Sequence, residues 1–200
     1  MSAPSVVPTW RLAQALAFAV DVHALQERKG AGTPYLAHLM AVSAMVLENG
    51  GDEAQAIAGL LQDVIEDGGA GFAEPLRARF GDEVARIVGL ATDAATDPKP
   101  PWRARKERYV AKLATLDRPA ALVVGCDKLH NARAIVADVR AEGPGVFARF
   151  TADRPGIAWY YGALAGGLAP HLPPRLALAL TETAGEVVRL TEVGATPLEG

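Results

Sequence analysis

The feature that most constrains the fold is a run of small and apolar residues that ends in three acids, at positions 57–68. Residues three and four apart share a helix face, so Asp63, Glu66 and Asp67 are predicted to lie together, with Gln62 one turn before Glu66. An ionised carboxylate without a partner costs several kcal/mol to bury. The acids therefore either bind a cation inside the protein or face water at a frayed helix end, and this segment alone leaves both open.

The rest of the chain is typical of an all-α domain. Apolar residues recur at helical spacing, and no segment shows the alternation of a half-buried strand. We expect one domain over residues 1–191 and a loose tail over 192–200. The expected helices cover residues 9–27, 35–48, 52–68, 74–80 and 82–92, two more begin near 102 and 119, and the last three cover 144–150, 154–168 and 172–191.

Composition argues against several classes of function. The chain of 200 residues carries a formal net charge of −3, too mild for a general nucleic-acid or membrane-surface binder. A single cysteine, Cys126, excludes an intrachain disulfide and fits a reducing compartment. The apolar run at 12–20 is shorter than the ~20 residues of a membrane span and continues as an amphipathic pattern. We expect a cytoplasmic protein that binds neither nucleic acid nor membrane; the oligomeric state stays open.

A second acid stands where a core is expected. Asp127 follows six small or apolar residues, and Asn131 lies one turn further on the same helix face. His38 borders the apolar face of its helix, where a lone histidine is either a core residue or a ligand. His130 is expected to point elsewhere and to be ordinary. The aromatic residues 159–161 are expected to pack in the core.

Basic residues are concentrated in two places. Arg28 and Lys29 precede two glycines, where backbone can approach a ligand, although they also suit the C-terminal turn of the first helix. Between Lys99 and Lys112, six basic residues stand against one acid. Such a segment suits a polyphosphate, or it is a solvated face. In the first case, Arg28, Lys29, Lys99 and the segment 103–112 should face one cleft.

Four motifs, taken in order, resemble those of the HD-superfamily of metal-dependent phosphohydrolases. They are RKG at 28–30, TPYLAH at 33–38, LLQDVIED at 60–67 and CDKLHN at 126–131. Within that superfamily the chain is similar to the hydrolase domain of the guanosine tetraphosphate (alarmone) enzymes, and especially to the small alarmone hydrolases. The resemblance spans about residues 10–140.

The resemblance implies an all-α HD-domain helical bundle that holds one divalent ion, usually manganese, and acts on a small nucleotide. Water then removes the 3′-pyrophosphate of the alarmone. The implied ligands are His38, Gln62, Asp63 and Asp127, and the pair implied to orient and deprotonate the water is Glu66 and Asp67. The implied substrate contacts are Arg28 and Lys29 at the guanine, Asn131 at the nucleoside, and Lys99, Arg105 and Lys106 at phosphate.

Position 62 departs from the family pattern, which has His in the doublet where this chain has Gln. An amide oxygen is a neutral and weaker donor than an imidazole nitrogen toward a transition ion. Either the site works with a weaker ligand set, or the chain is a degenerate copy that binds nucleotide without catalysis, or the residue was introduced. We expect a (p)ppGpp pyrophosphohydrolase; an HD phosphatase acting on another nucleotide, such as NADPH, is a further alternative.

Overall fold

The structure is a computed structural model of the chain and describes residues 9–28, 32–93 and 100–193. Within these ranges the regular secondary structure is all helical apart from one isolated β-bridge between Glu27 and Pro34, which confirms the predicted fold class. Short 3-10 helices cover Ala70–Phe72, Pro144–Arg149 and Ala169–His171. The α-helices are α1 (Trp10–His23), α2 (Tyr35–Glu48), α3 (Glu53–Leu61), α4 (Val64–Gly68), α5 (Ala73–Phe80), α6 (Asp82–Ala91), α7 (Trp102–Leu113), α8 (Arg118–Glu142), α9 (Arg154–Leu168) and α10 (Pro174–Glu192).

The long helix α8 is the centre of the bundle. Its eight consecutive residues from Ala120 to Asp127 are all buried, as expected of a helix that is apolar on every side. Helices α2, α3, α6, α9 and α10 pack around it. The Asp117 side chain caps its N-terminus by accepting from the Ala120 N–H at 3.0 Å. A carboxylate at Asp127 therefore lies in the middle of the protein.

Helices α2 and α3 approach each other closely because Gly59 has no side chain. A Cβ at this position would lie 3.3 Å from both the Cα and the backbone nitrogen of Ser43. The Ser43 hydroxyl donates to the Ala56 carbonyl oxygen at 2.8 Å, which ties the two helices together. This packing fixes the relative position of the two ends that carry His38 and Gln62.

The predicted third helix is two helices in the structure. It begins with a capping box, in which the Asp52 side chain accepts from the Gln55 N–H and the Gln55 side chain accepts from the Asp52 N–H. It ends at Leu61, and at Asp63 the backbone has φ −97° and ψ −3° before α4 begins. This bridge-region conformation is common at active sites. The break makes α4 a separate element that carries Glu66 and Asp67.

Helix α1 ends at His23, four residues earlier than predicted. The following segment instead pairs with the residues before α2: the Arg28 N–H donates to the Thr33 carbonyl, and the Tyr35 N–H donates to that of Gln26. This loop carries Arg28 back toward the bundle. Across the described ranges, every helix falls short of the length and apolarity that a bilayer crossing requires.

Candidate metal and nucleotide site

Helices α2, α4, α7, α8 and α9 surround a cavity of about 340 Å³, which also borders the α3–α4 break. A second cavity, of about 290 Å³, shares several of these lining residues and adds Arg28 and Asp138. An apolar groove between α1 and α2 has no ionisable side chain in its lining and is not a candidate. Several predicted site residues line the first cavity: Asp63, Glu66, Asp67, Arg105, Lys106, Asp127 and Asn131.

His38 is the fully enclosed member of the proposed ligand set, with 1% of its surface exposed. Its Nε2 lies 3.2 Å from an Asp127 carboxylate oxygen and 3.8 Å from an Asp63 carboxylate oxygen. The structure thus brings together one imidazole and two carboxylates from helix α2, the α3–α4 break and helix α8. Of the two readings of His38, a core residue or a ligand, the geometry favours the second.

Gln62 lies beside these donors and is buried. Its amide nitrogen is 3.3 Å from His38 Nε2 and 3.5 Å from the Asp63 carboxylate. In this orientation the amide N–H takes the place in front of the imidazole lone pair. Turning the amide over would present its oxygen as a ligand instead, because one side chain carries both a donor and an acceptor.

Asp63 is held by Tyr35, whose hydroxyl donates to its carboxylate at 2.7 Å. Burial, followed by the charge of Asp127, raises the pKa of Asp63 to about 6. The same burial and the Asp63 charge raise the pKa of the Tyr35 phenol, so this hydroxyl stays a donor at neutral pH. The raised pKa means that desolvation and the charge of Asp127 outweigh the nearby positive charge of Lys128.

Asp127 has the opposite electrostatic environment. Burial opposes its ionisation, but the Lys128 ammonium at 2.6 Å and the neighbouring His38 hold the pKa of Asp127 well below its usual range. Asn131 donates to its other carboxylate oxygen at 2.6 Å, as their spacing of four residues predicts. Lys128, which the sequence argument did not assign, neutralises Asp127 from within the site.

The prediction that His130 points elsewhere is wrong. Its Nδ1 lies 2.9 Å from His38 Nδ1 and 3.4 Å from an Arg28 guanidinium nitrogen. Burial, followed by the charges of His38 and Arg28, lowers the pKa of His130 to about 4, so its ring is neutral at pH 7. Because residues three apart on a helix share a face, Asp127 and His130 are neighbours, and this signal was present in the sequence.

The acidic pair on α4 lines the same cavity. An Asp67 carboxylate oxygen accepts from the Gln26 amide at 2.9 Å, and a Glu66 carboxylate oxygen lies 3.6 Å from an Arg105 guanidinium nitrogen. The cavity therefore has two carboxylates beside the proposed ligands and separate from them. Asp67 is exposed and Glu66 is half-buried, so the alternative of a solvated helix end describes only part of this arrangement.

Two of the basic residues on α7 face the cavity. Arg105 and Lys106 both donate to one oxygen of the buried Asp93, at 2.5 and 2.7 Å. Asp93, which the sequence argument did not identify, thus orients both cations. The expectation that the whole segment 103–112 faces the cleft is wrong, since Arg103 pairs with Glu107. Lys29 and Lys99, also predicted contacts, lie outside the described residues.

Comparison with known proteins places this arrangement in a family. The sequence of residues 15–158 matches the family described as HD domain. The chain belongs to the HD-domain family. The probable guanosine-3′,5′-bis(diphosphate) 3′-pyrophosphohydrolase of Synechocystis is 35% identical over 136 residues, which are 66% of this chain and 18% of that protein.

Two smaller relatives match over most of their length. The guanosine-3′,5′-bis(diphosphate) 3′-pyrophosphohydrolase of Drosophila melanogaster is 33% identical over 129 residues, which cover 63% of this chain and 70% of that protein. A solved structure, of a metazoan SpoT orthologue that hydrolyses ppGpp, superposes with a TM-score of 0.72 at 25% identity. It covers 92% of this chain and 96% of the other.

Hydrolases of this family depend on a metal ion, and the donors of this HD domain fit one. Ligands at roughly 2.0–2.3 Å from a divalent ion stand about 3–4 Å from each other, the separations seen between His38 and the two carboxylates. Among the described residues, His38, Asp63 and Asp127 lie near one another, but no group of three or more His, Cys, Asp or Glu side chains is already arranged to hold a metal ion. The residues thus have the right chemistry, with one weak member.

Two tyrosines expected only to pack also line the cavity. Tyr160 and Tyr161 on α9 are 8% and 7% exposed and border both cavities together with Phe150. The Lys106 ammonium lies 5.0 Å above the Tyr160 ring. A tyrosine can pack in the core and line a cavity at the same time. The spacing of the aromatic residues in the sequence does not distinguish these two roles.

Proposed function

We propose that this HD domain is a metal-dependent nucleotide pyrophosphohydrolase of the (p)ppGpp-hydrolase type, in which water removes the 3′-pyrophosphate. The proposed ion is Mn²⁺ or another divalent transition ion, weakly bound, and the proposed ligands are His38, Gln62, Asp63 and Asp127. The observation that carries the proposal is that three groups meet at one cavity: Asp63 and Asp127 with His38 beside them, the separate Glu66–Asp67 pair, and the cations Arg105 and Lys106.

Each group has a chemical role that suits phosphate ester hydrolysis. When bound, a divalent ion polarises a phosphoryl oxygen and acidifies water. Glu66 and Asp67 orient the attacking water and accept its proton. Arg105 and Lys106 bind phosphate oxygens, and Asp93 keeps their charged groups in place. Arg28 and Asn131, joined by a hydrogen bond at 2.9 Å, contact the nucleoside.

The activities for which the relatives are named support this choice of substrate. The Drosophila and Synechocystis proteins are both named for removal of the 3′-pyrophosphate from guanosine-3′,5′-bis(diphosphate). This chain spans under a fifth of the Synechocystis protein, so the activity of the isolated chain needs its own measurement.

The test is pyrophosphate and phosphate release over a panel that includes guanosine tetraphosphate and NADPH, with titrated Mn²⁺. We expect release from guanosine tetraphosphate, and a fall in kcat of about a hundredfold or more for Glu66→Gln, as for loss of a general base. Glu74→Gln, on the exposed first turn of α5, is the matched control and should retain full activity. Turnover of NADPH alone would assign a different phosphatase activity.

One observation favours a second candidate, a nucleotide-binding protein without catalysis. Gln62 replaces an imidazole, and its amide N–H faces His38. Calorimetric binding of guanosine tetraphosphate, with no turnover at any Mn²⁺ concentration, would establish this candidate and refute the enzyme.

A further inference from the structure

Five side chains form a closed ring of polar contacts around two of the proposed ligands. Arg28 occupies one side of the ring and reaches both ligands through a single intervening residue on each arm. In the first arm, His38 Nδ1 lies 2.9 Å from His130 Nδ1, which lies 3.4 Å from Arg28 Nη1. In the second arm, Arg28 Nη2 lies 2.9 Å from Asn131 Oδ1, and Asn131 Nδ2 lies 2.6 Å from Asp127 Oδ1. The ring closes where Asp127 Oδ1 lies 3.2 Å from His38 Nε2.

The first arm fixes which nitrogen of His38 carries a proton. A guanidinium can only donate, so the His130 Nδ1 that faces Arg28 must be an acceptor. The His38 Nδ1 that faces the same atom must then be the donor. In the neutral form that binds a metal ion, this is the single N–H of the ring, so the lone pair is on Nε2, the nitrogen that faces Asp63 and Asp127.

The second arm fixes the orientation of Asn131 by the same reasoning. The amide atom that faces Arg28 must be the oxygen, because Arg28 has no acceptor. The amide nitrogen then faces Asp127 and donates to its carboxylate. Because Arg28 can only donate, it sets the direction of the hydrogen bonds in both arms. One arm ends on His38 and the other on Asp127.

We propose that Arg28 is a positioning residue for the metal-binding side chains, acting on His38 through His130 and on Asp127 through Asn131. The inference rests on the metal site of the proposed function, and it makes the nucleoside subsite and the metal subsite one hydrogen-bonded unit. The effect on metal affinity that it predicts is opposite to the effect expected from charge alone. Removing a cation near an ion site should tighten metal binding, whereas removing the residue that orders the ligands should weaken it.

The test is Mn²⁺ affinity by calorimetry, in the parent and in a Gln62→His background that restores the second imidazole. We expect Arg28→Met to weaken binding several-fold, and His130→Phe to weaken it by about 10- to 100-fold, as for other residues that orient metal ligands. His130→Asn keeps an acceptor near the Nδ1 position and should stay within about threefold of the parent. Unchanged or tighter binding by Arg28→Met would overturn the inference.

Two controls separate orientation from charge and from folding. Arg133→Met removes an exposed cation of α8 whose charge reaches His130 but which has no contact in the ring, so it should leave binding unchanged or slightly tighter. His171→Phe repeats the histidine substitution away from the cavity and should leave it unchanged. Thermal unfolding of every variant shows whether the fold persists.

A second readout needs no metal. Nitrogen-15 spectra of the histidine side chains should show a protonated Nδ1 in His38 and an unprotonated Nδ1 in His130. A protonated His130 Nδ1 would refute the inference even if no ion binds. A protein that binds Mn²⁺ through the ring but hydrolyses no nucleotide would refute the proposed function and leave this inference standing.

Discussion

Gln62 is the residue on which metal binding depends most. It is 2% exposed, and its amide nitrogen stands 3.3 Å from His38 Nε2. We expect Gln62→His to raise Mn²⁺ affinity on the order of a hundredfold, because an imidazole replaces a weak neutral donor. Hydrolysis should rise with it, and excess Mn²⁺ should partly rescue the parent. Calorimetry and product release are measured side by side; a filled but inactive Gln62→His site would show that the ligand is not what limits activity.

Asp63 gives a prediction about pH that needs no metal. Its folded pKa of about 6 is above the unfolded value, so the folded state binds more protons between about pH 4 and pH 6. The ionised group therefore lowers the free energy of unfolding above pH 6. We expect Asp63→Asn to stabilise the metal-free protein by on the order of 2 kcal/mol at pH 7.5, a gain that disappears toward pH 4.

Denaturant unfolding in the presence of a chelator checks this expectation. Asp21→Asn, on the exposed surface of α1, is the control and should change stability little at either pH. Metal affinity should be lost in Asp63→Asn. If its stability gain is the same at pH 7.5 and pH 4, the ionisation of Asp63 does not determine it.

At the residue scale, the sequence correctly predicts contacts between residues at helical spacing, but it does not predict which way a side chain such as His130 points. Asp127 and Asn131 were paired from their separation of four, and the bond between them measures 2.6 Å. The sequence does not identify His130, although it is three residues from Asp127. Its partners His38 and Arg28 are about one hundred residues away in sequence, and only the folded chain brings them together.

Among the elements, the α2–α3 contact determines the geometry of the ligands. We expect Gly59→Ala to lower both the free energy of unfolding and Mn²⁺ affinity, because the added Cβ meets backbone atoms of Ser43 that move only with the whole helix. Gly89→Ala on α6 is the matched control. Nothing lies within 4 Å of its Cβ position, so it should gain about 0.5–1 kcal/mol from helix propensity.

Denaturant unfolding measures the stability of the two glycine variants, and calorimetry measures their Mn²⁺ affinity. If Gly59→Ala is as stable as Gly89→Ala, then α2 and α3 move apart to admit the Cβ at no cost in the free energy of unfolding.

Helix starts were predicted better than helix ends. The start of α3 follows from the local chemistry of Asp52 and Gln55, and that of α7 from the prolines before it. The early end of α1 depends on backbone pairing with the segment before α2, which is a tertiary contact. The break at Asp63 likewise depends on distant groups. The sequence alone therefore predicts that the apolar run ending in acids is a single helix.

On the scale of the whole molecule, a mildly acidic chain places three basic side chains, Arg105, Lys106 and Lys128, beside the carboxylates of one cavity. Lys106 lines that cavity, whereas Arg108 lies on the exposed side of the same helix. We expect Lys106→Met to weaken guanosine tetraphosphate binding by about tenfold and to reduce its salt dependence, since a charged contact with phosphate is lost. Arg108→Met removes the same charge and should stay within about twofold.

Binding is measured by calorimetry at low and high salt in a Glu66→Gln background, where turnover is suppressed. Equal losses in Lys106→Met and Arg108→Met would mean that net charge attracts the nucleotide and that the cavity position of Lys106 is irrelevant.

The position of Gln62 at the end of α3 has an evolutionary consequence. Asp127 lies within the central helix, so replacing it disturbs the core of the molecule as well as its chemistry. Gln62 follows the last turn of its helix and can change without rebuilding any element. Glutamine and histidine codons differ by a single nucleotide, so a lineage can lose or regain the second imidazole in one mutational step. Metal dependence in this scaffold can therefore drift while the fold is inherited unchanged.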